Sequence, residues 1–176
     1  MKEKSPLQSE RITLRAPEIS DLDFMFRIEN DTRLWVVSAC KTPYSRYQLH
    51  QYITENRHDI YADRQLRLMI EKSNGETIGA VDLIDFNPSS HRAEVGIVIV
   101  EEERGKGYAG ETLTLLSRYT KEILDIHQLY AYVYSDNTAA WRLFEKAGFI
   151  ATATLKEWEY NNGRYKDVSI FQLIMQ

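Results

Sequence analysis

The sequence predicts a mixed α/β domain, and three stretches carry that prediction. Between Leu66 and Val100, apolar runs alternate with short turn signals, the pattern of an antiparallel meander. The glycine-rich segment Arg104-Gly105-Lys106-Gly107-Tyr108-Ala109-Gly110 follows and leads into a helical pattern. Beyond that helix the chain reads strand, helix, strand, a β-α-β unit.

Residues 11–15 alternate polar and apolar side chains, as a half-buried first strand does. Pro17 breaks the chain, and Ser20 or Asp21 is placed to cap a helix carrying Leu22, Phe24, Met25, Phe26 and Ile28. From Arg33 to Tyr44 the pattern is irregular. Residues 45–61 then put Leu49, Tyr52 and Ile53 on one helical face. Residues 66–71 form a strand, Ser73-Asn74-Gly75 supplies the positive-φ residues of a tight hairpin, and residues 77–86 are the partner strand. Asn87-Pro88-Ser89-Ser90 turns the chain into a third strand over 91–100. A helix over 109–124 and a strand over 129–134 follow. Asn137 opens a helix to Ala147, with Gly148 as its left-handed terminator. Strands over 149–160 and 165–175 flank an Asn161-Asn162-Gly163 turn. No repeat or linker divides the chain. Residues 1–176 are therefore expected to fold as one domain, with about seven strands in a mostly antiparallel sheet and about four helices.

Acidic residues outnumber basic ones, 26 to 22, and no basic run occurs, so a nucleic-acid footprint is absent from the sequence. Cys40 is the only cysteine, which excludes an internal disulfide and a multi-cysteine metal site. The histidines are scattered without ligand spacing, and no metal is expected. The charged N-terminus lacks the apolar stretch of a secretory signal, and no apolar run approaches the roughly 20 residues a bilayer requires. The expectation is a cytoplasmic protein with no membrane partner.

Gly105, Gly107 and Gly110 satisfy a G-x-G-x-x-G pattern, which several chemistries share. A dinucleotide fold needs the first glycine directly after a buried parallel strand and an acidic residue about 20 positions on. Here Glu101, Glu102, Glu103 and Arg104 intervene, the preceding strand belongs to a meander, and Asp136 lies too far along. A kinase-type glycine loop leads into a strand, whereas a helix pattern follows here. A Walker loop needs Lys-Ser or Lys-Thr after its last glycine. A plain surface turn does not account for three glycines and Ala109 crowded against a helix start. Small residues there let backbone amides converge on an anion, which the helix dipole also favours.

The loop resembles the acyl-CoA loop of the GNAT superfamily of N-acetyltransferases, Arg/Gln-x-x-Gly-x-Gly/Ala, with Arg104, Gly107 and Ala109 at the three positions. The segment from Asn137 to Phe149 resembles the same family's second signature, Asn-x-x-Ala/Ser…Glu-Lys-x-Gly-Phe. His91-Arg92-Ala93-Glu94, the tail from Asn162 to Val168, and Phe171 resemble the branch containing ribosomal-protein alanine and spermidine acetyltransferases.

The resemblance implies a sheet whose fourth and fifth strands splay, acetyl-CoA as acetyl donor, and a primary amine as acceptor. It implies that Ile97, Val98, Ile99 and Val100 offer main-chain groups to the pantetheine arm, that amides from Arg104 through Gly105, Lys106, Gly107, Tyr108 and Ala109 to Gly110 hold the diphosphate, and that Asn137 reaches the pantetheine. Asn137 is equally an ordinary helix cap. Glu94 is the candidate general base; a strand-end salt bridge with Arg92 is its other reading. Spermidine-type relatives carry a tyrosine acid at the position of Phe144, on the cofactor side of the second-signature helix, and phenylalanine cannot protonate a thiolate. Tyr134 or Ser135 could substitute. Val37 to Tyr44 is neutral to basic where polyamine enzymes gather acidic residues, which favours an N-terminal peptide amine or small amine metabolite over spermidine. Trp35 and Tyr44 are candidate pocket or core residues, and Cys40 reads as a buried hydrophobe. A homodimer is compatible with the branch. A non-catalytic acyl-CoA-binding module stands as the alternative.

Overall fold

The computed structural model describes residues 5–35, 42–57, 59–161 and 163–175. In chain order its elements are β1 (Ile12–Arg15), α1 (Leu22–Glu29), α2 (Arg46–Glu55), α3 (Ile60–Asp63), β2 (Leu66–Lys72), β3 (Thr77–Asn87), β4 (Arg92–Ile99), α4 (Tyr108–Glu122), β5 (Gln128–Tyr134), α5 (Thr138–Lys146), β6 (Ile150–Asn161) and β7 (Arg164–Ile174). Short 3-10 turns occupy Ile19–Asp21 and Glu101–Glu103. The strands form one seven-stranded sheet in the order β1-β2-β3-β4-β5-β7-β6. Every pairing is antiparallel except β4 with β5.

Side chains alternate across a strand, so the sheet builds a core on each face. Leu68, Ile70, Val81, Leu83, Ala93, Val95 and Ile99 pack on one side with Leu113 and Leu116 of α4 and Phe144 of α5. Met69 and Ala80 face the opposite way, against Phe24, Met25 and Ile28 of α1 and Leu49 and Ile53 of α2.

Three local features differ from the sequence reading or sharpen it. The single helix expected over 45–61 is two. Asn56 leaves the helix in an extended conformation, and Asp59 starts α3 afresh by accepting the amides of Tyr61 and Ala62. Asp21 does not cap α1 with its side chain. Its carboxylate accepts Arg15 at 2.7 and 2.9 Å, the Glu18 amide at 2.8 Å and the Thr77 hydroxyl at 3.1 Å, which tie β1, β3 and the turn before α1 together. At the end of α5, Gly148 adopts φ 88°. Its amide bonds to Glu145 O and that of Phe149 to Phe144 O, both at 3.0 Å. This is a complete Schellman closure, and the accompanying apolar contact is Phe144 on Phe149, ring centroids 5.1 Å apart.

Among the described residues, no helix is long and apolar enough to cross a membrane.

Candidate active site

The one parallel strand pair opens a cleft. β5 accompanies β4 only at Arg92 with Gln128, Ala93 with Leu129 and Glu94 with Tyr130. β4 then continues to Ile99 and β5 to Tyr134 without further pairing. Val100 N donates to Ile78 O at 2.9 Å, and alternate residues of an antiparallel ladder bond to the same neighbour. Val98 and Val100 therefore spend their main-chain groups on β3, while Val95, Ile97 and Ile99 turn theirs toward the gap. This corrects the expectation that all four residues from Ile97 to Val100 offer main chain to a ligand. Val98 and Val100 instead pack their side chains on the α1–α2 core. Ile99 O is taken by Arg104 Nε at 2.9 Å, which leaves Ile97 as the main contributor.

The glycine loop closes the top of this gap. Gly105 and Gly107 have φ values of 74° and 87°, a region open to glycine at little cost, and Gly107 is the N-cap of α4. The amide of Arg104 donates to Glu101 O at 3.2 Å, so it is removed from the expected anion cradle. The first amide of α4 with a helical acceptor is that of Glu111, to Gly107 O at 3.1 Å. Among the described residues, the amides from Gly105 to Gly110 have no protein acceptor. They gather at the positive end of a helix of 15 residues, where an anion is stabilised. A Cβ built on Gly110 would meet nothing within 4 Å, so this helical glycine leaves open space for a ligand to approach the backbone.

Below the gap, on the face shared with α1 and α2, Glu94 stands opposite Tyr130 on β5 and Ile84 on β3. The register of β3 shifts between Ile84 and Asn87, and Asp85 takes φ 48° within that bulge. A bulge re-aims side chains. Here it brings the Asp85 carboxylate to 2.8 Å from the Tyr130 hydroxyl, which donates to it. Burial, and secondarily the Asp85 charge, push the Glu94 carboxyl above the usual range. Burial and the bond to Asp85 push the Tyr130 phenol up strongly, so it stays a neutral donor. Glu94 has no ion pair with Arg92 or any other described residue, which removes its alternative reading. Asp85 and Tyr130 were missed from sequence. The positive-φ bulge has no composition signal, though aromatic alternation in 130–134 marked that strand.

Other expected residues divide. Tyr134 lies on the same sheet face as Tyr130, with Lys166 Nζ 6.0 Å from its ring, and burial raises its phenol. Ser135 donates its hydroxyl to Asp167 O at 2.9 Å, which engages it structurally. Asn137 caps α5, its Oδ1 accepting Ala140 N at 3.1 Å. Phe144 is a core residue, 5% exposed against Phe149 and Phe171, so its expected place beside a cofactor gives way to the Schellman contact. Trp35 ties its Nε1 to Glu29 O at 2.8 Å, and Tyr44 lines a surface groove with Gln48 and Tyr52. Residues 36–41, including Cys40 and most of the neutral-to-basic stretch, lie outside the described residues. Nearby, Arg67 binds Asp82 through two nitrogens, at 2.7 and 2.8 Å, and also Glu29, cancelling two carboxylates.

A cleft at the carboxyl ends of parallel strands, with an amide cradle above and a carboxylate below, defines an acyl-transfer class of site. The acetyltransferase (GNAT) domain model matches residues 11–150. A spermidine N(1)-acetyltransferase of Vibrio cholerae is 32% identical over 162 residues, 90% of each chain. Its counterpart in Escherichia coli K12 is 29% identical over 168 residues, 92% of this chain and 86% of that one. The crystal structure of spermidine N-acetyltransferase from Vibrio cholerae with CoA and spermine superposes with a TM-score of 0.84 at 29% identity, over 94% of this chain and 96% of that one. A dodecameric structure of the Vibrio enzyme gives 0.80 at 31% identity, over 94% and 95%. The chain belongs to the GNAT family and is an N-acetyltransferase with acetyl-CoA as its acetyl donor.

Proposed function

We propose that the chain acetylates a primary alkylamine of the polyamine class by direct attack in a ternary complex. The observation that carries this reading is the half-buried Glu94, raised by burial and by Asp85, at the mouth of the β4–β5 cleft. Acetyl-CoA lies along the cleft, its diphosphate on the amides from Gly105 to Gly110, its pantetheine beside Ile97 and the free amide nitrogen of Asn137. Glu94 takes a proton from the incoming ammonium, which frees the nitrogen lone pair that then forms the C–N bond, and the adduct nitrogen gives up its second proton as the thiolate departs. The Ile97 amide of β4, which faces the gap beyond the last β4–β5 pair, receives the developing oxyanion. The C–S bond then breaks, and the thiolate leaves unassisted or takes the Tyr134 proton. A thiol is a fair leaving group, so loss of the tyrosine at Phe144 does not stop the reaction.

The amine class rests on two points. Two relatives that align over 90% and 92% of this chain are named for spermidine, and Glu94 and Asp85 stand at the cleft end of β4 and β3 while Glu29 and Asp82 are neutralised by Arg67. The test is thiol release from acetyl-CoA over spermidine, spermine, simple alkylamines and alanyl peptides. Turnover should favour the polyamines at least ten-fold over peptides, on the order of one good ionic contact. Preference for alanyl peptides would overturn the acceptor. CoA binding without turnover on any amine would establish the non-catalytic alternative.

Self-association belongs to the same reading. The edge strand β6 and its neighbour β7 expose Ile150, Trp158, Tyr160 and Tyr165, and a dodecameric relative is known. Gel filtration that returned only monomer would refute it.

A further inference from the structure

Arg11 sits immediately before β1, far in sequence from the glycine loop, and reaches it through every part of its side chain. Nε donates to Glu111 Oε2 at 2.7 Å, and NH2 stands 2.6 Å from the same oxygen. NH1 donates to the carbonyl of Lys106 at 3.2 Å. The guanidinium plane covers the Tyr108 ring, 4.6 Å from its centroid. NH2 is also the atom nearest a Cβ built on Gly107, at 3.5 Å. One rigid planar fork thus touches the loop at Lys106, Gly107 and Tyr108 and the first turn of α4 at Glu111.

The contact has a direction. The C=O and N–H of a trans peptide point oppositely, so with Arg11 on the Lys106 carbonyl the following amide, on Gly107, points away from the guanidinium. Clamping Tyr108 and Glu111 fixes the first turn of α4, whose amides complete the cradle. Arg11 commits Nε and NH1 to protein acceptors and NH2 to its ion pair with Glu111. We infer that Arg11 is a positioning residue that holds the Gly105–Gly110 amides in the geometry for the donor's diphosphate, acting through the loop and not by touching phosphate. This rests on the reading of that loop as the diphosphate site.

The experiment compares wild type with Arg11→Ala, Arg11→Lys and Glu111→Ala in calorimetric CoA binding, and in steady-state kinetics with acetyl-CoA and with S-acetylpantetheine, which lacks the diphosphate. Arg11→Ala should raise the acetyl-CoA KM and the CoA Kd on the order of ten-fold or more, with a much smaller change in kcat. The KM for S-acetylpantetheine should move far less, which a general loss of folding would not permit. Arg11→Lys should recover only part of the effect, because an ammonium cannot fork or stack in the same way. Glu111→Ala separates the two modes of action. Removing a carboxylate beside a phosphate site tightens CoA if charge alone matters, and weakens it if Glu111 anchors the strut. Tighter CoA binding by Glu111→Ala, or an unchanged Kd in Arg11→Ala, overturns the inference. If wild type fails to bind CoA at all, the reading of the loop falls instead.

Discussion

Replacing Glu94 by glutamine keeps the shape of the side chain and removes its capacity to take a proton. The structure sets what should follow. Glu94 has no ion pair to lose and stands where burial and Asp85 both disfavour its charge. Loss of a positioned general base costs about 10²–10⁴ in rate, so kcat should fall about a hundred-fold or more, near 3 kcal/mol of transition-state stabilisation. The CoA Kd should stay within two- to three-fold, because the amide cradle lies at the other end of the cleft. The assay is thiol release at saturating acetyl-CoA across a pH series. In wild type the base must be ionised, so the rate falls as pH drops through the raised Glu94 pKa, and that limb lies above an ordinary glutamate's. Asp85→Asn removes one cause of the shift and moves the limb to lower pH. Stability responds with the opposite sign. A carboxyl whose folded pKa is raised destabilises the fold once it is ionised, that is, as pH rises through the folded pKa. Glu94→Gln should accordingly raise Tm at neutral pH, with the difference vanishing in acid. Wild-type turnover in Glu94→Gln at neutral pH would refute the role assigned to this residue.

Three further outcomes are expected. A Cβ at Gly110 meets nothing within 4 Å, so in Gly110→Leu the Tm should change by no more than a few degrees while the acetyl-CoA KM rises at least ten-fold; unchanged KM would place the donor elsewhere. Phe144→Tyr should not speed the reaction, because a hydroxyl added among Phe149 and Phe171 lacks a partner, and it should cost about 1–3 kcal/mol in denaturant unfolding. Arg67→Met leaves Glu29 and Asp82 partly buried without their cation, for an expected loss of about 3–5 kcal/mol, whereas the double change with Asp82→Asn should recover part of it.

Much of the architecture was legible because its causes are local. Apolar runs between turn signals marked the meander, and Gly148 marked the end of α5, where the structure shows a Schellman closure. The glycine loop was legible for the same reason: positive φ at Gly105 and Gly107 is a property of single residues. The break between α2 and α3 was not, since Asp59 competes with helix continuation by a capping bond no periodicity records.

The sequence by itself marked the proposed donor end of the site: an amide cradle needs only glycines, a helix start and their order along the chain. Tertiary structure decided the rest. Which residues of the run from Ile97 to Val100 offer main chain depends on ladder phase with β3, which one bond between Val100 and Ile78 reveals. Phe144 became core because the closure of α5 brings Phe149 onto it. Asp85 joined Glu94 and Tyr130 only through a bulge, and Arg11 met its loop across 95 residues of chain. Such contacts depend on how three strands and a helix end register in space, and spacing along one chain does not encode that register.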